Sequence, residues 1–258
     1  MILEGKTIVV SGVGGGLGQE IARLALRDGA NVVLGARTQA SLEKIGQALD
    51  PSGKRVAWVA TDITKADQCE RLVRSARERF GRVDGLAQVA ALDNVFGGID
   101  TPLDEWRRTY ETNVFGTVSL VRATGAEMRK SGGGSIVLIG SQSTYLPQVL
   151  QAAYASSKGA LISAMYYMAK ELGPSKIRVN TVIPTWMWGP PVEGYVKGEA
   201  QRTGKSVDEV KKGITANMPL GEIPADEDVA EAVVFLCSDR ARMISGQSLM
   251  VNAGELMR

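Results

Sequence analysis

Short apolar runs alternate with amphipathic stretches along the whole chain. Residues 7–10, Thr-Ile-Val-Val, form a continuous β-branched run, as a strand buried on both faces requires. Helical spacing follows, with Ile21, Leu24 and Ala25 on one face. The same alternation predicts further strands at 31–35, 56–60, 83–91 with its exit, 135–139, 177–183 and 248–251. Between them lie a helix through Leu42, Ile45 and Leu49 and another ending near Phe80, with Gly81 as its C-cap. A third starts at Thr101-Pro102-Leu103-Asp104 and leads into a long helical region containing Asn113 and Gly116. Strand, helix, strand in this order predicts an α/β fold with a parallel sheet.

From Leu161, apolar residues recur at Ala164, Met165, Met168, Ala169 and Leu172, a stripe facing either the core or a second subunit. Ser206 with Glu209 reads as a capping box, so residues 192–217 form a polar helical excursion. The segment at about 185–220 is a lid candidate. A last helix is predicted over 226–236. The chain shows no internal repeat, low-complexity tract or flexible linker, so residues 1–258 are read as one domain.

Composition narrows the function. The chain has 258 residues, 44% hydrophobic, with 30 basic and 28 acidic side chains. A net charge of +2 gives no footprint for nucleic acid or an anionic membrane. No apolar run has the length of a membrane span, and the N-terminus lacks a signal-peptide pattern, so a cytoplasmic location is expected. The two cysteines, Cys69 and Cys237, lie far apart without metal-ligand spacing and are read as buried thiols; no metal site is expected. Histidine is absent, which removes Ser-His-Asp and Cys-His catalysis. Acid–base work at neutral pH must use a tuned Tyr, Lys, Asp, Glu or Cys.

Tyr154 and Lys158 are such a pair. Four residues apart, they share one helical face. An ammonium close to a phenol lowers its pKa, and a drop of roughly 3 units is worth about 4 kcal/mol. Ser141, at the exit of a predicted strand, is placed to hold a substrate oxygen while Tyr154 moves the proton. Near the N-terminus, Ser11-Gly12-Val13-Gly14-Gly15-Gly16-Leu17-Gly18 joins strand to helix. Such a turn either admits a pyrophosphate at the helix N-terminus or is merely tight. The second strand ends at Ala36-Arg37-Thr38 rather than at an acid. Arg37 is then a partner for a 2′-phosphate, favouring NADP(H) over NAD(H), or a solvated surface arginine.

Other positions stay open. Asp62 either accepts from adenine or makes a turn with Thr64, which with Asp67 resembles a helix cap. Asn113 either bonds backbone and water or marks a kink. Tyr145, Leu146, Pro147, Val149 and Leu150 form an apolar loop that would wall a pocket, with Gln142 at its start. Trp186 and Trp188 stand beyond a strand end, where ligands bind open α/β sheets, or they pack a corner.

Together these residues make the chain resemble the classical short-chain dehydrogenase/reductases over nearly its whole length. Gly12, Gly16 and Gly18 fit the family's Gly-x-x-x-Gly-x-Gly turn. Asn113, Ser141, Tyr154 and Lys158 fall in order on its catalytic tetrad. The resemblance implies a three-layer, doubly wound Rossmann fold with a seven-stranded parallel sheet, and hydride transfer between a nicotinamide cofactor and an alcohol or ketone. It implies that Lys158 binds the nicotinamide ribose and that Asn113 holds a water leading to Lys158. Asp62 and Ile63 would contact adenine, Ala90 would lie along the cofactor, Leu17 would belong to the turn, and Pro184 and Met187 would border the nicotinamide. It also implies a homo-oligomer, tetramer or dimer. Four departures stand out: Gln88-Val89-Ala90-Ala91 for Asn-Asn-Ala-Gly, Thr185 for glycine, Gly189 for threonine, and Asn252-Ala253-Gly254 for Asp-Gly-Gly.

The expectation is an NADP-dependent alcohol dehydrogenase or ketoreductase. Gln142, Tyr145, Leu146, Leu150, Trp186 and Trp188 would line the site of a bulky, apolar small molecule: alicyclic, aromatic or steroid-like. The alternatives are a 3-oxoacyl-thioester reductase, docking a carrier protein at Arg122, Arg129 and Lys130, and a non-catalytic NADP-binding protein.

Overall fold

The computed structural model describes residues 1–93, 97–148 and 150–257; Val149 of the apolar loop lies outside them. Seven strands form one parallel sheet in the order β3-β2-β1-β4-β5-β6-β7. They are β1 Thr7–Ser11, β2 Asn31–Ala36, β3 Val56–Ala60, β4 Gly85–Gln88, β5 Gly134–Ile139, β6 Ile177–Pro184 and β7 Ser248–Val251. Alternate residues of β1 serve opposite faces, as the pleat demands. Ile8 and Val10 pack with α1 (Leu17–Arg27), α2 (Gln39–Leu49) and α9 (Asp226–Cys237). Val9 packs with α3 (Ala66–Phe80), α5 (Thr117–Ser131) and α6 (Ala152–Leu172). This is the three-layer arrangement the resemblance implies. Met165 is buried in the second layer with Met168, Ala169 and Leu172 against it, so the α6 stripe is core.

The sheet reverses direction of travel between β1 and β4, the switch point where open α/β sheets bind ligands. β4 is shorter than its apolar run. Val89 and Ala90 both donate their N–H to the Ser11 carbonyl, at 2.9 and 3.0 Å, which turns the chain out of the ladder.

Two helix starts differ from expectation. Thr64 donates to Asp62 at 2.8 Å instead of capping α3, whose N-cap is Lys65. Thr101 donates to the Gly98 carbonyl, leaving Pro102 as the N-cap of α4 (Leu103–Tyr110). Gly81 caps α3 in the left-handed conformation, as expected. Between α4 and α5 the backbone opens into a π-turn, Glu111–Gly116, carrying Asn113.

The polar excursion is α7 (Pro190–Thr203) and α8 (Val207–Thr215), and the Ser206–Glu209 capping box is present. Val196, Ala200 and Val210 give it a small core of its own. Cys69 and Cys237 are buried free thiols, pushed up by burial to about 11 and about 12. No helix among the described residues is long and apolar enough to cross a membrane.

Candidate active site

The ends of β1, β2 and β4 open onto a cleft of about 660 Å³ that brings together Gly12, Arg37, Thr38, Asp62, Ile63 and Ala90. Gly12 adopts φ +88°, and a Cβ there would collide with the Ala90 backbone nitrogen. A Cβ on Gly18 would collide with the Gly12 carbonyl, so the turn closes directly on the start of α1. Gly14 and Gly15 face open space, and Gly16 caps α1 without a side-chain bond. Backbone N–H groups at an uncapped helix start, over an open cradle, suit the pyrophosphate of a dinucleotide. Arg37 is exposed and has no ion pair among the described residues. Asp62 serves its turn: one oxygen accepts from Thr64 N and Thr64 Oγ1 at 3.0 and 2.8 Å.

Tyr154 lines a second cleft of about 300 Å³, together with Ser141, Gly16, Leu17 and Met187 among others. Asp93 lines both. Lys158 is buried, its Nζ donating to the Ile139 carbonyl at 2.7 Å and lying 5.7 Å from the Tyr154 ring centre. The sequence predicts a phenol made acidic by this amine; burial of the phenol acts in the opposite direction. Burial pushes the Tyr154 phenol up to about 12 and the charge of Asp93 adds to that, while a hydrogen bond with Ser141 works against them. Burial likewise pulls Lys158 down to about 8, against the charge of Asp93. Burial is the largest cause for both groups, and the amine is directed at a backbone carbonyl.

Asn113 is fully buried and works as a clamp. Its Oδ1 accepts from Leu92 N at 2.7 Å, and its Nδ2 donates to the Leu92 carbonyl and to Ser157 Oγ at 3.1 and 2.9 Å. Both amide protons are spent on protein, so a water here would have to donate to an oxygen. Ser157, which sequence reading passed over, donates in turn to the Tyr154 carbonyl at 2.7 Å. Gln88, in place of the family's asparagine, donates to the Ala90 carbonyl and to Thr117 Oγ1, and Thr117 bonds the Asn113 carbonyl. That departure thus supports the same clamp.

Of the six expected substrate residues, Leu146, Trp186 and Gln142 line the second cleft; Tyr145, Leu150 and Trp188 do not. Trp188 packs against the small core of α7 and α8, with Lys211 Nζ 4.0 Å above its ring. Trp186 instead lines the cleft, its ring 5.2 Å from that of Tyr195. Leu150 is exposed at the end of the loop. Pro184 ends β6 and lines neither cleft.

Gln142 is buried and its amide faces protein. Nε2 donates to Glu255 at 2.7 Å and to Thr185 Oγ1 at 3.3 Å, and Oε1 accepts from Asn252 at 2.6 Å. Thr185 also donates to Glu255. Two of the four departures, Thr185 and Asn252, therefore belong to one network, with Glu255 as its shared acceptor. Another two-residue unit stands opposite. Gly189 leaves room for the Asp226 carboxylate, which a Cβ at 189 would overlap and which also approaches Gly16. Burial, with Glu20 nearby, raises the Asp226 carboxyl above the usual range.

A family model described as enoyl-(acyl carrier protein) reductase matches residues 12–255. The chain is 32% identical to an L-rhamnose 1-dehydrogenase (NAD(P)(+)) of Azotobacter vinelandii, covering 98% of each. It is 31% identical to a 7α-hydroxysteroid dehydrogenase of Escherichia coli, covering 98% of this chain and 94% of that one. A short-chain type dehydrogenase/reductase from Mycobacterium ulcerans superposes with a TM-score of 0.89 at 30% identity, covering 99% of this chain and 91% of that one.

Proposed function

The chain belongs to the short-chain dehydrogenase/reductase family, and from that premise we propose that it is an NADP(H)-dependent enzyme interconverting a secondary alcohol and a ketone. The observation that carries the reading is the meeting of Ser141, Tyr154 and Lys158 beside the cleft at the glycine turn. Gly12, Gly16, Arg37, Thr38, Asp62, Ile63, Ala90, Lys158 and Met187 would hold the dinucleotide. When bound, it gives or takes the hydride.

The chain's own residues handle the oxygen. Ser141 orients it, and Tyr154 transfers the proton between its phenol oxygen and the substrate oxygen. A phenol held at about 12 keeps its proton at neutral pH, which suits donation to a carbonyl reduced to an alkoxide. Asn113 and Ser157 fix the turn that carries Tyr154. Arg37, without an ion pair among the described residues and next to the uncharged Ala36, supports NADP(H) over NAD(H).

Leu146, Trp186, Met187 and Val192 give the substrate cleft an apolar wall, which supports a bulky ring-bearing substrate. A homo-oligomer in the cytoplasm is part of the same reading; the exposed Tyr166 and Tyr167 on α6 support the assembly. The thioester alternative is favoured by the description of the matching family model. Its docking surface is thinner than the sequence implies, since Lys130 is paired with Glu127 at 2.6 Å. NADPH absorbance followed with cyclic ketones, aryl ketones and acetoacetyl thioesters separates these. Turnover of a cyclic ketone above the thioester supports the proposal; tight NADPH binding without turnover of any compound supports the non-catalytic alternative.

A further inference from the structure

We propose that the substrate cleft selects an uncharged cyclic alcohol bearing a further hydroxyl, or its keto form, and turns away substrates carrying an anionic group. The inference rests on the oxidoreductase reading above and narrows its substrate. Besides the phenol itself, the ionisable groups lining the cleft among the described residues are Asp93 and Asp226. Neither has an ion pair there. Lys158 lies behind the phenol, committed to the Ile139 carbonyl. A carboxylate or phosphate entering this space would meet two like charges, and no Lys or Arg side chain lines it among the described residues. Asp93 stands close enough for its charge to act on both Tyr154 and Lys158, so it also acts on whatever sits beside the phenol.

The neutral polar groups point the same way. Gln148 and Gln151 line the cleft, and neither side-chain amide has a hydrogen-bond partner among the described residues. Gln142 is the contrast, its amide saturated by Glu255, Thr185 and Asn252. A free amide offers both a donor and an acceptor, the complement of a hydroxyl. The lining thus combines apolar side chains, Leu146 and Trp186, with hydrogen-bonding ones, Asp93, Gln148 and Gln151. A ring with an apolar body and a second hydroxyl matches both kinds of lining.

The test uses cyclohexanol, 1,2-cyclohexanediol and 3-hydroxycyclohexanecarboxylate with the protein and NADP+. Turnover is read by NADPH absorbance and binding by saturation-transfer NMR. The diol is expected to exceed cyclohexanol in kcat/KM by at least about tenfold, and the carboxylate to fall at least about tenfold below it. Asp93→Asn is expected to recover about tenfold of the carboxylate's deficit. Gln151→Leu should erase the diol's advantage as a ratio. Selective binding of the diol without turnover would sustain this inference and overturn the oxidoreductase reading. Binding of the carboxylate as well as the diol, or of none of the three, would overturn the inference.

Discussion

The nucleotide cleft is shaped by strand ends and glycines of the first 93 residues and by the start of the π-turn, whereas the substrate cleft is closed by side chains from distant parts of the chain. In the first, the decisive contacts are backbone to backbone: Gly12 against Ala90, Gly18 against the Gly12 carbonyl. In the second, residues 142, 185, 252 and 255 meet through side-chain hydrogen bonds. A backbone-built cleft tolerates varied side chains but few changes of turn. A side-chain-built cleft allows single substitutions to alter what it accepts.

The contrast yields graded expectations. Tyr154→Phe, in the substrate cleft, should lower kcat by about a thousandfold or more while fluorescence titration shows NADPH still bound; activity within tenfold of the parent would remove Tyr154 from its acid–base role. Arg37→Ala belongs to the nucleotide cleft alone. It should weaken NADPH by about 2 kcal/mol, some thirtyfold, with NADH nearly unaffected and substrate KM unchanged; equal losses for both dinucleotides would discard the phosphate contact.

Lys158→Met tests burial. The amine is held at about 8 in the fold against 10.5 ordinarily, so its charge destabilises the folded state. The variant should be inactive yet more stable, by on the order of 1–2 kcal/mol after loss of the Ile139 bond. Below pH about 8 both states hold the proton and the full gain is present. It fades as pH rises from about 8 toward 10.5, where the folded amine is neutral first. Denaturant melts across that range check it, and a gain that grows with pH would contradict the sign.

The smallest effect belongs to the side-chain network. Glu255→Gln should raise substrate KM by about fivefold, near 1 kcal/mol, and leave the NADPH Kd unchanged. A double-mutant cycle with Thr185→Ala should show coupling of at least about 0.5 kcal/mol. Additive losses, or an equal loss of NADPH affinity, would detach Glu255 from the substrate cleft.

What the sequence made legible follows the same division. Strands and glycine turn show through periodicity and spacing, because they depend on near neighbours and on a repeated pleat; the full tetrad shows only through the resemblance to the family. The Glu255 network was hidden: Thr185 and Asn252 show as departures from the family, but its members are separated by up to 113 residues and nothing local ties them together. Trp186 and Trp188 look alike as letters; only packing sends one into the cleft and the other into the α7–α8 core. The direction of the Tyr154 shift was equally out of reach. Spacing shows that an amine stands near, but desolvation depends on everything around it.

Gly189 has an extended backbone that any residue adopts, so nothing in the main chain demands glycine there. Its missing methyl group is instead the parking space of Asp226. Placing at 189 the threonine that the family resemblance implies would force the Asp226 carboxylate out of its present position beside Gly16, at the mouth of α1. The constraint runs one way: a side chain at 189 fits only once the Asp226 carboxylate has moved or been shortened.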